Sequence, residues 1–171
     1  DDNDGYIDNL IGWNAHSNNG DLAVNLGLSH GTNVGGCVSS MTNNEYGIAS
    51  IGWSIKIMGI TNCDPGGSIT SGYEGILTAA QMGADIINNS WGSSGGPDYA
   101  EALINTVLNQ YECIIVASAG NGGANIANYP AAFEGVLSVT STSEGSIFSC
   151  WATRHETVDI AAPGDNIFTT T

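Results

Sequence analysis

The chain of 171 residues is long enough for one domain with a single sizeable core. Its 17 acidic residues outnumber its two basic ones, so the formal net charge is −15, which argues against nucleic acid and against an anionic membrane surface as partners. The hydrophobic fraction of 42% is typical of a globular protein rather than of a disordered one.

Taken in chain order, the apolar patterns alternate between helices and strands. A helical pattern of small residues at 28–41 comes first. Strands are then predicted at 55–60, 85–90, 113–118 and 136–141, with helices at 71–82 and 97–110 between them. This alternation is typical of parallel βαβ units. The predicted fold class is α/β, a doubly wound parallel sheet with helices on both faces, in one domain over residues 1–171.

The four cysteines, Cys37, Cys63, Cys113 and Cys150, allow three alternative pairings in an oxidising compartment. Cys37 and Cys113 lie in apolar runs, where free cysteine packs as a small buried residue, and this interpretation is the favoured one. No CxxC spacing occurs, so zinc is not expected. No apolar stretch approaches the roughly 18 residues that a membrane span needs.

Two glycine-rich turns follow the predicted strands, where the loops of a parallel sheet meet a ligand. "WGSSGG" follows the strand at 85–90, and "AGNGGAN" follows the strand at 113–118. Glycine lets a substrate backbone approach closely. The second turn places Asn121 between glycines, from where its amide N–H could point into a cleft. We therefore expect a binding or catalytic site at this edge of the sheet.

The glycines of "GNGG" also raise a nucleotide-binding alternative. Gly120 and Gly122 form a G-x-G after a strand, but Asn125 stands where the third glycine is required. No helical pattern follows to receive a pyrophosphate. The alternative of a nucleotide-binding α/β domain is therefore disfavoured.

His30 begins the first helical pattern, in "LSHGTNVGGCV". A helix N-terminus favours the neutral imidazole, which is the form that accepts a proton. A general base and a donor for a developing oxyanion, Asn121, are two parts of acyl-transfer chemistry, so we expect both side chains to converge on one crevice. The other histidines, His16 and His155, lie in polar surroundings and are interpreted as surface residues.

Several motifs, in order, carry a family resemblance. "HGTNVGG" resembles the His box of the subtilisin-like serine proteases (subtilases, peptidase family S8), "INNSWGSSGG" their substrate-binding strand, and "VASAGNGG" their oxyanion-hole segment. "YPAAF" and "DIAAPGDNIF" are similar to two further family segments. The resemblance covers nearly the whole chain and implies an incomplete subtilisin-like catalytic domain.

The resemblance implies roles for individual residues. His30 would be the general base, and Asn121 would donate to the oxyanion. Three residues, Ser90, Trp91 and Gly92, would pair with an extended peptide substrate. Ala119 and Gly120 would line the primary specificity pocket, with Tyr129 nearby.

The same resemblance divides the chain into segments. These are an acidic loop at 1–20, the His-box helix at 28–41, the substrate-binding strand at 85–96, and the oxyanion-hole and pocket segment at 113–131. It further implies a secreted endopeptidase that acts on peptide or protein substrates and is monomeric at full length.

Two parts of the family pattern do not occur in these residues. Neither a strand ending in the triad Asp nor a Gly-Thr-Ser-Met-Ala box is present, and Asp21 has no strand leading into it. We therefore expect the 171 residues alone to be inactive. We also expect them to associate when made alone, because in the family the Asp strand is central and its absence would leave unpaired strand edges.

The acidic start of the chain predicts a calcium site. "DDNDGYID" resembles a loop found in many subtilases and places Asp2, Asp4 and Asp8 at near-alternate positions, as calcium ligands often are. A solvated acidic loop is the alternative. Asn43, Asn44 and Glu45 resemble a second family calcium loop. The rival to a protease is a non-catalytic, calcium-stabilised binding module of the same family.

Overall fold

The computed structural model describes residue 6 and residues 11–22, 29–123 and 125–170. The elements in chain order are β1 (Gly12–Asn14), α1 (His30–Ser39), β2 (Gly59–Thr61), α2 (Gly72–Gln81), β3 (Ile86–Asn89), α3 (Ala100–Gln110), β4 (Ile114–Ser118), β5 (Leu137–Ser143), β6 (Ile147–Phe148) and β7 (Ile160–Pro163). The chain divides into two compact units, residues 1–75 with 168–171 and residues 76–167, and the division falls within α2.

The first unit contains a two-stranded parallel sheet. β1 pairs with β2 in the register that sets Gly12 opposite Gly59. The strands approach so closely there that a Cβ on Gly12, whose φ is +143°, would overlap the Gly59 carbonyl. Trp13, 6% exposed, is the large buried side chain of β1, and its ring meets the edge of Tyr6 at 4.9 Å between centroids.

The second unit contains a five-stranded sheet. β3, β4 and β5 pair in parallel, β7 adds in parallel to β5, and β6 is antiparallel to β5. Helix α3 buries a stripe made of Ala100, Ile104 and Val107, spaced four and three residues apart as one helix face requires. Each fully buried isoleucine contributes about 1.5–3 kcal/mol relative to an exposed one. This stripe explains why the segment folds as a helix.

Most predicted elements are confirmed, and with them the α/β class and the parallel pairing. All three predicted helices form within a few residues of their expected bounds, as do the strands expected at 85–90, 113–118 and 136–141. The strand expected at 55–60 was largely wrong, because only Gly59–Thr61 pairs. Ile55 and Ile57 remain about half exposed, which shows that an apolar run without a paired neighbour stays irregular.

All four cysteines are free in the structure. Cys113 is buried, and its Sγ lies 2.9 Å from the Ala84 carbonyl, whereas Cys150 is exposed and Cys37 is only partly buried. Burial and, second, the negative charge of Asp85 raise the pKa of the Cys113 thiol.

The four thiols should therefore differ in reactivity. We expect iodoacetamide at pH 8 to label Cys150 at least about tenfold faster than Cys113, because the thiolate is the nucleophile and the buried thiol ionises less. Peptide mapping by mass spectrometry measures both rates, and labelling in denaturant, where the rates should converge, is the control. Equal rates in the native protein would contradict the buried position of Cys113.

The described part of the chain contains no helix long and apolar enough to cross a membrane.

Candidate active site

His30 is the first residue of α1, and it is exposed. The helix starts there because the Asn33 N–H donates to the Ser29 carbonyl at 2.9 Å, closing the first turn. Ser29 makes no side-chain capping bond. An exposed imidazole at a helix start can exchange a proton with a group outside the protein, which is what a general base requires.

Helix α1 is held from the side by residues near the end of the described chain. The Thr170 hydroxyl donates to the Thr32 carbonyl at 3.0 Å, and the Thr169 hydroxyl donates to the Asn33 carbonyl. With its amide nitrogen toward them, Asn33 donates to the carbonyls of Ser29, at 3.0 Å, and Thr170, at 2.8 Å. A Cβ on Gly36 would overlap the hydroxyl of Thr170. Asn33 thus ties the first turn of α1, which carries His30, to the Thr170 backbone.

In the second unit, the residues expected to bind substrate lie beside those expected to line the pocket. Ser93 and Tyr129 exchange two backbone hydrogen bonds, with N–H to O distances of 3.0 and 2.8 Å. This pairing joins the segment containing Ser90, Trp91 and Gly92 to the chain that follows the Asn121 turn. Ser90 also receives a hydrogen bond of 2.9 Å from the Asn88 amide.

Asn128 reinforces the same junction, and the sequence analysis missed it. Its amide nitrogen donates to the Ser118 carbonyl at 2.9 Å. A Cβ on Gly92 would overlap this amide, and a Cβ on Gly120 would lie 3.1 Å from Asn128 Cγ. Both glycines are therefore needed for the close approach. No local pattern marks Asn128, because the hydrogen-bond partner of its side chain, Ser118, lies ten residues earlier in the chain.

Asn121 follows β4 in a tight turn, the place expected from sequence. Gly120 adopts a φ of +102°, which only glycine adopts readily, and the Ala119 N–H donates to the Val139 carbonyl at 2.9 Å. Residues 121–123 are exposed, whereas Ala119 is 2% exposed. The turn thus presents Asn121 to solvent from a buried base.

The second unit brings together Ser90, Trp91, Gly92, the turn at 119–121 and Tyr129. His30 belongs to the first unit. The convergence of His30 with Asn121 stays a prediction.

The predicted calcium ligands Asp2, Asp4 and Asp8 lie outside the described residues. At the second predicted calcium loop, Asn43 and Glu45 adopt positive φ and are exposed, and the Asn44 side chain accepts from the Tyr46 N–H at 3.1 Å. Across the described ranges, no three or more His, Cys, Asp or Glu side chains cluster as a metal site would require. Glu45 is the one acidic side chain of the Asn43–Glu45 loop, and calcium binding there stays a prediction.

A mostly parallel α/β fold, with a glycine-lined asparagine turn after one strand and a second glycine-rich segment paired beside it, places the chain in the class of α/β proteins whose ligands bind at the carboxyl ends of the strands. Comparison with known proteins identifies the family. Residues 1–171, the whole chain, match the Subtilase family (peptidase S8), and the chain belongs to it.

Individual relatives agree with this assignment. The chain is 34% identical over 161 residues to thermitase of Thermoactinomyces vulgaris, covering 93% of this chain and 57% of thermitase. It is 33% identical over 154 residues to the halolysin-like extracellular serine protease Nep of Natrialba magadii, covering 84% and 27% of the two chains. It thus spans little more than half of the first relative and about a quarter of the second.

Solved structures show the same fold. The psychrophilic subtilisin-like protease Apa1 from the Antarctic psychrotroph Pseudoalteromonas sp. AS-11 superposes with a TM-score of 0.73 at 27% identity, covering 79% of this chain and 32% of that one.

Proposed function

We propose that the protein containing this chain is a serine endopeptidase of the subtilisin type. A serine hydroxyl would attack the scissile carbonyl, His30 would take its proton and return it to the leaving amine, and Asn121 would donate to the tetrahedral oxyanion. The observation that carries the proposal is the exposed Asn121 on a turn whose base is buried, beside a segment that could hold a peptide.

The substrate would be an extended peptide. Gly92 is exposed, so Ser90, Trp91 and Gly92 could add a peptide as a further strand. Ala119 and Gly120 would line the pocket for the side chain before the scissile bond, with Tyr129 at its edge. The small residues suit an apolar side chain.

Other features of the whole protein follow from the same family. We propose secretion and a monomeric full-length protein, supported by the extracellular relative Nep. A calcium ion bound by Asp2, Asp4 and Asp8 would stabilise the acidic loop, and no catalytic step depends on it.

The nucleophile is not among these residues. The 171-residue sequence contains no Gly-Thr-Ser-Met-Ala box. A polypeptide of these residues alone should therefore have no hydrolytic activity, whereas the full-length product of the gene should have it.

Labelling with a fluorophosphonate tests the proposal. These probes phosphonylate a serine that a neighbouring base activates: an O–P bond forms and fluoride leaves. We expect the native full-length product to be labelled in stoichiometric amount, and neither the heat-denatured product nor the 171-residue polypeptide to be labelled. A native, folded full-length product that stays unlabelled would refute the enzyme and favour the non-catalytic binding module of the same family.

A further inference from the structure

The turn that carries Asn121 is tied at both ends to a second turn, Ser149–Thr153. The Thr153 N–H donates to the Gly120 carbonyl at 3.0 Å, and the Gly123 N–H donates to the Trp151 carbonyl at 2.8 Å. The two bonds flank Asn121 and Gly122. The backbones lie so close that a Cβ on Gly123, whose φ is +59°, would be 3.3 Å from the Cys150 carbonyl oxygen. The position of Asn121 therefore depends on where the second turn lies.

Residues of β5 hold the second turn at both of its ends. At one end, the Ser149 N–H donates to the Ser141 carbonyl at 3.1 Å, and the two hydroxyls of these residues lie 2.8 Å apart. At the other end, the bond comes from one side chain, Thr140. The Thr140 hydroxyl donates to the Thr153 carbonyl at 2.6 Å, and both residues are buried, 4% and 3% exposed. Ser149 and Ala152 are also buried, and the Ala152 N–H donates to the Ser149 carbonyl at 3.0 Å. Removing the donor to a carbonyl buried at this depth destabilises the folded state, because water does not replace the lost hydrogen bond.

Adjacent residues of β5 thus hold the Asn121 turn from two directions. The Val139 carbonyl accepts directly from Ala119 at the base of the turn. Thr140 acts through Thr153, whose N–H reaches Gly120 and whose Oγ1 would lie 3.2 Å from a Cβ there. The direct bond is backbone only, whereas the indirect one passes through the Thr140 hydroxyl at the Thr153 end of the second turn.

We propose that Thr140 is a positioning residue for Asn121. The Thr140 hydroxyl fixes the Thr153 end of the Ser149–Thr153 turn, and this turn orients Asn121. This inference rests on the proposed function, since it assigns Thr140 a part in the same oxyanion site. The oxygen of the substrate's scissile carbonyl gains its charge only in the transition state. A misplaced Asn121 donor therefore lowers kcat and leaves KM nearly unchanged. A general loss of stability has no such selectivity.

A double-mutant cycle on the full-length product tests the proposal. Thr140→Val removes the hydroxyl and keeps the shape, and we expect kcat to fall about tenfold with KM within about twofold, since a misplacement of about 1 Å can cost up to 10²-fold. Thr140→Ser keeps the hydroxyl and should restore kcat to within about twofold of the parent. In an Asn121→Ala background, Thr140→Val should change kcat less than about twofold, because the donor it positions is gone.

Two controls separate positioning from stability. Thr106→Val makes the same substitution at an exposed hydroxyl-to-carbonyl bond, 2.9 Å to Ala102 within α3, and should leave kcat unchanged. Ile104→Val weakens the core of the same unit, and at an equal loss in melting temperature it should also leave kcat unchanged. If Thr140→Val does not fold, Thr140→Cys replaces it, with a thiol as a much weaker donor.

The outcomes are distinct. An equal fall in kcat in both backgrounds, or an unchanged kcat in Thr140→Val, would overturn the positioning role while leaving the protease intact. A fall in kcat for Ile104→Val equal to that for Thr140→Val would overturn it as well. If Asn121→Ala itself leaves kcat unchanged, or the parent has no activity at all, it is the proposed function that fails.

Discussion

Replacing His30 by alanine in the full-length product should lower kcat by a factor on the order of 10⁴–10⁶, a magnitude established in enzymes of this same family. Without a base, the serine hydroxyl keeps its proton and attacks the carbonyl only slowly. KM should change little, because an exposed imidazole at the start of α1 contributes little to holding the peptide. Steady-state kinetics on a peptide anilide measure both constants. The enzyme concentration is taken from the amount of protein, because a serine-directed titrant would not label the His30→Ala variant.

The chain offers two matched controls for this substitution. His16, whose Nδ1 lies 2.8 Å from the Thr70 hydroxyl, and His155, whose Nδ1 lies 3.0 Å from the Thr157 hydroxyl, each have a local partner in their own loop or unit. Changing either to alanine should leave kcat within about twofold, as is usual for substitutions outside the reacting groups. A large loss of activity in His155→Ala, together with full activity in His30→Ala, would show that His155 rather than His30 is the base.

The helices could be predicted from sequence because their signals are local. Ala100, Ile104 and Val107 repeat at helical spacing within eight residues, and burial of that stripe is what the structure shows. The strand at 55–60 failed because pairing depends on a partner far along the chain. Its pairing partner, β1, has only three residues and begins with glycine, so no strand pattern marks it.

The residues of the candidate site also separate into those with a local sequence signal and those without one. Asn121 and His30 could be singled out because glycines and a helix start surround them in the sequence itself. Asn128 and the Thr140–Thr153 bond could not, since their partners are joined only by folding, across 10 and 13 residues. Motifs thus identify the groups that would react, whereas the groups that hold them in place become visible only in the structure.

A polypeptide of these 171 residues made alone should associate rather than remain monomeric. Among the described strands, β3 pairs only with β4, so its other edge leaves backbone donors and acceptors unpaired. Ile86 and Ile114 are paired in register and are 62% and 55% exposed, so an apolar patch lies next to the open edge. Open edge and apolar patch together favour strand addition between copies. Sizing chromatography with light scattering should therefore show oligomers or aggregate at micromolar concentration.

A charge placed on this strand should suppress the association, as natural edge strands use lysine to prevent pairing. We expect Ile86→Lys to shift the size distribution toward monomer by a large fraction, since the lysine replaces part of the apolar patch beside the open edge with a hydrated charge. Ile126→Lys is the matched control, because Ile126 is 59% exposed and lies outside the strands, so it makes the same change in charge and hydrophobicity without touching the edge. If both variants dissolve the oligomers equally, net charge rather than strand addition drives association. A monomeric parent with a sharp two-state melt would show that the β3 edge is not a site of association.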